Sequence, residues 1–164
     1  MRGLLLLIVT LVGGAVAAQP VPGPFVSDEH TLLLYHFDEG AGAVAYDGSG
    51  HGQHAVRQGA QWTNGKFGGG LWFDGTDDSV FLRQPDALRN MPELSVECWF
   101  NQEVSGGRRF LVGHDVGFHF EVDDAAGMSI SLYNQGGAVN NAEGKPHQQV
   151  AMGGVSIRPG RWHH

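Results

Sequence analysis

Turn carboxylates, one indole and a few histidines are the side chains here whose types and spacing could do chemistry. Asp47 opens Asp47-Gly48-Ser49-Gly50, and Asp74, Asp77 and Asp78 share Asp74-Gly75-Thr76-Asp77-Asp78. Ca²⁺ takes about six to eight oxygens from carboxylates and backbone carbonyls, and glycine-bearing turns present both. Aspartates in such turns also accept hydrogen bonds from nearby amides. Two readings therefore stand: a structural Ca²⁺ held by Asp47, Asp74 and Asp78, with Asp47 and Asp78 the better pair, or turns that simply carry their own acceptors. A second group lies on strands. Ser95, Glu97 and Trp99 alternate with Val96, Cys98 and Phe100, while His119 and Glu121 alternate with Phe118, Phe120 and Val122. Outward-facing Trp99, Glu97, His119 and Glu121 make a sugar-site mixture: an indole stacks on a sugar ring, and carboxylates and imidazoles bond its hydroxyls. The rival reading is that Trp99 covers a sheet face beneath a loop.

Other chemistries lack their residues. Cys98 is the single cysteine, so no intrachain disulfide forms, and its apolar neighbours make it a small buried hydrophobe rather than a reactive thiol. There is no Gly-x-Ser-x-Gly elbow. The histidines fall in loops and at strand ends (His51 and His54, His114 and His119, His163 and His164) without a helical His-Glu-x-x-His pair or a zinc pattern. No zinc is assigned.

The elements that must position these side chains begin with a leader. Arg2 precedes an apolar run from Leu4 to Val12, followed by Gly13-Gly14-Ala15-Val16-Ala17-Ala18 and Gln19-Pro20. A charged start, a short apolar run and a small-x-small site describe a secretory signal peptide over residues 1–18. The run is shorter than the roughly 20 residues that span a bilayer. The chain is then expected outside the cytoplasm, whether secreted, periplasmic or on the cell surface, with no membrane insertion once the leader is removed. The remaining residues carry 9 basic and 17 acidic side chains, an imbalance that argues against nucleic acid and anionic membranes as partners. Residues 19–30 read as an extended linker, because Pro20, Pro22 and Pro24 remove three backbone donors.

From residue 31 to 164 the pattern is one of short strands. Leu33, Tyr35 and Phe37 share a face, as do Leu71 and Phe73 after Gly68-Gly69-Gly70. Val80-Phe81-Leu82 follow the Asp74–Asp78 turn. Leu94 to Phe100, Arg109 to Val112, Phe118 to Val122, Met128 to Leu132, Val150 to Met152 and Val155 to Ile157 complete the set. No segment after the leader reads as a helix. Many short strands between turn signals imply an all-β sandwich or barrel. The polar stretch Asn134 to Gln149 is long enough to be functional or disordered.

Five motifs in order carry a resemblance. They are Leu34-Tyr35-His36-Phe37-Asp38-Glu39-Gly40, Asp47-Gly48-Ser49-Gly50, Phe67-Gly68-Gly69-Gly70-Leu71-Trp72-Phe73-Asp74-Gly75-Thr76-Asp77-Asp78, Leu94-Ser95-Val96-Glu97-Cys98-Trp99-Phe100 and Pro159-Gly160-Arg161-Trp162-His163-His164. Together they resemble bacterial laminin-G-like, concanavalin A-like lectin/glucanase modules. The resemblance implies an antiparallel jelly-roll β-sandwich, commonly with structural Ca²⁺, that recognises a glycan or an extracellular protein. Modules of this kind continue past the Trp-His-His segment, so the chain is expected to be an incomplete sandwich lacking its C-terminal strands. The same fold hosts glycoside hydrolases with a Glu-x-Asp-x-x-Glu strand. Glu121-Val122-Asp123-Asp124-Ala125-Ala126 has the first two acids and an alanine in the third place, so paired-carboxylate catalysis is not expected. The expectation is thus a binding module, not an enzyme. Its rivals are a degenerate hydrolase and an inert spacer.

Overall fold

Period-two alternation becomes strand at Ser95–Gln102, Phe118–Asp123 and Gly127–Leu132. In the computed structural model the described residues are 2–10, 23–83, 94–104, 106–114, 118–123, 127–132, 148–152 and 157–164. Every regular element among them is a strand: β1 (Arg2–Thr10), β2 (Thr31–Tyr35), β3 (Val44–Ala45), β4 (Ala55–Gln58), β5 (Gln61–Asn64), β6 (Gly69–Asp74), β7 (Ser79–Phe81), β8 (Ser95–Gln102), β9 (Arg108–His114), β10 (Phe118–Asp123), β11 (Gly127–Leu132), β12 (Gln148–Met152) and β13 (Trp162–His163). All pairings are antiparallel. Among the described residues no helix is long and apolar enough to cross a membrane. The protein is all-β, built of antiparallel sheets in keeping with a sandwich. The stretch 134–147 and the expected strand residues Val155 and Ser156 lie outside the described residues.

The chain divides into two units. The first, Met1–Glu103 with Gly160–His164, holds a six-stranded sheet in the order β13-β8-β1-β6-β5, with β2 also paired to β1, and a three-stranded sheet β3-β4-β7. The second, Val104–Pro159, holds the sheet β12-β11-β10-β9. The apolar run read as a leader overlaps β1. Residues 11–18, where the small-residue site was read, lie outside the described residues.

Burial follows the pleat in β8, where Cys98, Phe100 and Gln102 are buried and Glu97, Trp99 and Asn101 are half-buried. Burial also pushes the Cys98 thiol up to about 12, which leaves it inert at neutral pH. In β2 the alternation is lost: Leu33, Leu34 and Tyr35 are all buried, the pattern of a strand covered on both faces.

Just beyond β2, Phe37 is 1% exposed and takes φ 58°, the left-handed region that a bulky residue enters only at a cost. Its ring stacks on Tyr35 at 5.9 Å, and its backbone meets the start of β6. A methyl group at Gly69 would lie 2.4 Å from the Phe37 carbonyl oxygen, and the Gly69 amide donates to Asp38 Oδ1. The triple glycine lets two backbones touch here. Upstream, residues 23–30 contain no strand but are anchored, with Phe25 buried and Ser27 Oγ donating to the Ser49 carbonyl at 3.3 Å.

Candidate functional site

In the first unit the half-buried face of β8 is the place where rings and charges converge. Two neighbouring segments bring them there. β13 pairs with β8 at Trp162↔Asn101 and His163↔Phe100, which carries the following His164 to Trp99. The β5–β6 hairpin turns through Gly65–Gly68, closed by Gly65 N donating to Gly68 O at 2.7 Å, and presents Lys66 and Phe67. The imidazole of His164 stacks on Trp99 with centroids 4.9 Å apart and planes at 23°. Phe67 meets the same indole edge-on at 5.5 Å, and Lys66 Nζ sits 5.1 Å from its centroid, within cation–π range. Glu97 Oε2 lies 3.8 Å from His164 Nε2, and Phe25 meets the same imidazole at 5.4 Å. Trp99 Nε1 is buried with no hydrogen-bond partner among the described residues. A buried indole N–H of this kind is an unmet donor.

In the second unit Glu121 does something different from the outward role expected of it. Both sides of β10 are covered: Phe118, Phe120 and Val122 are buried, and so is Glu121, at 1% exposure. Arg108 grips the carboxylate in bidentate fashion, Nε to Oε2 at 2.5 Å and Nη2 to Oε1 at 2.6 Å. Ser129 and Ser131, alternate residues of β11, donate their hydroxyls to Oε1 at 2.9 and 3.3 Å. Burial by itself would raise the Glu121 carboxyl. The Arg108, Ser129 and Ser131 hydrogen bonds and the guanidinium charge outweigh it and hold the group below the usual carboxylate range. Glu121 is therefore a buried, ionised structural carboxylate and not part of an exposed ligand face. His119 meets Phe110 edge-on at 5.0 Å and lies across from Gly113, where a methyl group would come within 2.7 Å of the imidazole. Trp99 and Glu97 thus belong to one unit, His119 and Glu121 to the other.

The turn aspartates also separate. Asp47 is 8% exposed and accepts four hydrogen bonds: Oδ1 from Leu34 N (3.0 Å) and Ser49 N (2.9 Å), Oδ2 from Ser49 Oγ (2.7 Å) and Gln53 N (3.0 Å). These exhaust the roughly four lone-pair sites of a carboxylate. Against the burial that would raise it, the hydrogen bonds hold this carboxyl below its ordinary value. Asp47 is the acceptor that fastens its turn to β2, and its oxygens are already taken by these donors. Asp74 and Asp78 instead come together with Asp77, their ligand oxygens within 4.8 Å of one another. Within that turn Asp74 Oδ1 accepts from Thr76 N at 2.7 Å and Asp78 Oδ2 from Asp74 N at 2.8 Å.

Sequence reasoning missed Lys66, Phe67, Phe25 and His164 around Trp99, and Arg108 beneath Glu121. Only one signal for these contacts was available: the serines alternating in Met128–Leu132 mark a polar row that a neighbouring buried carboxylate can use. No family model, curated protein or solved structure matches the chain.

Proposed function

We propose that the chain is an exported, non-catalytic binding module of the laminin-G-like, concanavalin A-like jelly-roll class, and that it recognises carbohydrate at the Trp99 face of β8. The observation that supports this most is the buried indole N–H of Trp99, which has no hydrogen-bond partner among the described residues, set among Phe67, His164, Lys66 and Glu97. Sugars need an apolar ring face together with donors and acceptors for hydroxyls. The cluster supplies these residue types, and because His164, Lys66 and Phe67 already pack on the indole, a sugar must displace one of them to stack. Glu121 favours binding over hydrolysis. A glycosidase acid needs a raised pKa and access to the glycosidic oxygen, whereas this carboxyl is lowered, buried and bonded to Arg108.

The test is a glycan array on the full chain, followed by titration of any hit. Trp99→Ala is expected to weaken binding about tenfold or more, as loss of a central aromatic anchor does. Absence of any glycan hit, or a hit indifferent to Trp99→Ala, removes this reading.

One observation favours recognition of a protein surface instead. On the three-stranded sheet Val44, Val56 and Phe81 stand in register, Val56 48% and Phe81 57% exposed, with Tyr46 nearby in sequence at 58%. Exposed apolar rows of this kind mark interaction surfaces. A partner lost on Phe81→Ser but kept on Trp99→Ala selects this second reading.

The proposal extends to a structural Ca²⁺ at Asp74, Asp77 and Asp78. The three carboxylates are hard oxygen donors of the right kind, although two of their oxygens already accept amide hydrogen bonds. Millimolar calcium is then expected to raise the melting temperature, and chelator to reverse it. Saturation at 100 times the dissociation constant stabilises by about 2.7 kcal/mol. Identical melts in calcium and chelator eliminate the ion.

A further inference from the structure

β1 is paired along both edges. On one side β8 runs antiparallel to it over eight positions, from Gly3↔Gln102 to Thr10↔Ser95. On the other, β6 covers Arg2–Leu5 and β2 covers Leu7–Thr10. A single segment therefore completes three strands at once. β8 has little else to hold it, since β13 pairs with it at only two positions, Asn101 and Phe100.

The register gives this slot a parity. Position 5 aligns with Leu71 and Phe100, position 7 with Tyr35 and Cys98, and position 9 with Leu33 and Val96. Of these six partners, all but the half-buried Val96 are at most 3% exposed. Positions 4, 6 and 8 align instead with Trp72, Asn101, Trp99, Leu34 and Glu97, of which only Leu34 is buried. A strand lying here meets the buried core at every second residue, because successive residues of a strand face opposite sides of the sheet.

We propose that the space between β8 and the β6/β2 edge is a strand-acceptor site. It takes an extended apolar segment antiparallel to β8, requires apolar side chains at register positions 5, 7 and 9, and has Arg2–Thr10 as its resident occupant. Apolarity in residues 4–12 also suits an export leader, so this segment fills the site only in a chain that retains it, and the two roles make different demands. A leader depends on total apolarity, whereas a central strand depends on which face each residue occupies.

The decisive experiment compares Leu7→Asp with Leu6→Asp in the full chain, produced without export. The two variants have identical composition. Leu7→Asp is expected to lose the cooperative melt and the slow amide exchange across Val96–Phe100. Leu6→Asp is expected to keep both. A synthetic peptide of residues 2–10, added to Leu7→Asp, should restore slow exchange in β8, and the same peptide carrying Leu5→Asp should not. Equal damage from the two substitutions overturns the proposal. So does fast exchange across β8 in the wild-type chain, and so does slow exchange there that survives Leu7→Asp, since another segment must then fill the slot.

Discussion

Among the described residues each unit buries one ionised carboxylate, and the two solve the same problem by different means. Asp47 in the first unit is satisfied by three backbone amides and one hydroxyl, with no cation in its hydrogen-bonding shell. Glu121 in the second is satisfied by a guanidinium and two serine hydroxyls. The difference follows from what each must hold. Asp47 sits in a turn, where free amide donors crowd and a short side chain can gather them. Glu121 lies mid-strand, where the amides are spent on the ladder and only side chains remain to neutralise it. A buried charge without such partners would protonate or unfold its surroundings.

The largest effect expected from this contrast is that of Arg108→Met. It strips Glu121 of its cation while leaving the carboxylate at 1% exposure. Breaking a buried pair costs about 3–5 kcal/mol, and the low end applies here because the Arg108 side chain is 48% exposed. Urea melts should show the loss, and adding Glu121→Gln should recover much of it. If the single variant melts like wild type, the ion pair is not what holds this sheet.

A smaller loss is expected from Asp47→Asn. The amide keeps one acceptor oxygen for Leu34 N and Ser49 N but turns a donor toward Gln53 N, orphaning that amide at a cost of about 2 kcal/mol. Arg108→Met should then leave exchange at Leu34 and Gln53 unchanged, and Asp47→Asn should accelerate it.

Acid should expose both carboxylates. Each folded pKa lies below its ordinary value of 3.8 or 4.5. Their contribution is therefore full above about pH 5 and lost as the pH falls through the lowered folded values. A melting temperature that stays flat from pH 6 to pH 2 would contradict this. Salt should produce the smallest change, a few tenths of a kcal/mol at the half-exposed Arg108 and less at Asp47, whose partners carry no charge. Comparing the two single variants across ionic strength isolates it.

How much of this could be read beforehand differs between elements. The alternating runs of β8, β10 and β11 announce strands, and the glycines before Leu71 announce a close backbone approach; both are found. Asp47 could be placed in its turn, though not its four donors, because these come from residues 2 to 13 positions away. The strands β3, β4 and β5 escaped notice. They are only two to four residues long, and β5 has only Trp62 half-buried, so they are defined by partners rather than by their own pattern. Glu121 misled for a related reason. Period two says which residues share a face but not whether another layer covers that face, and here the covering groups were an arginine and two serines.

Where the chain leaves the first unit and where it rejoins it are joined by one bond: Gly160 N donates to Gln102 O at 2.8 Å. The second unit is thus a detour that begins and ends at nearly the same point, and β8 finds β13 directly across its neck. Such a detour can change in length, or be replaced by a brief connector, without altering the distance its host must close. Replacement of residues 104–159 by a short glycine-rich turn is accordingly the economical place to cut this protein into parts.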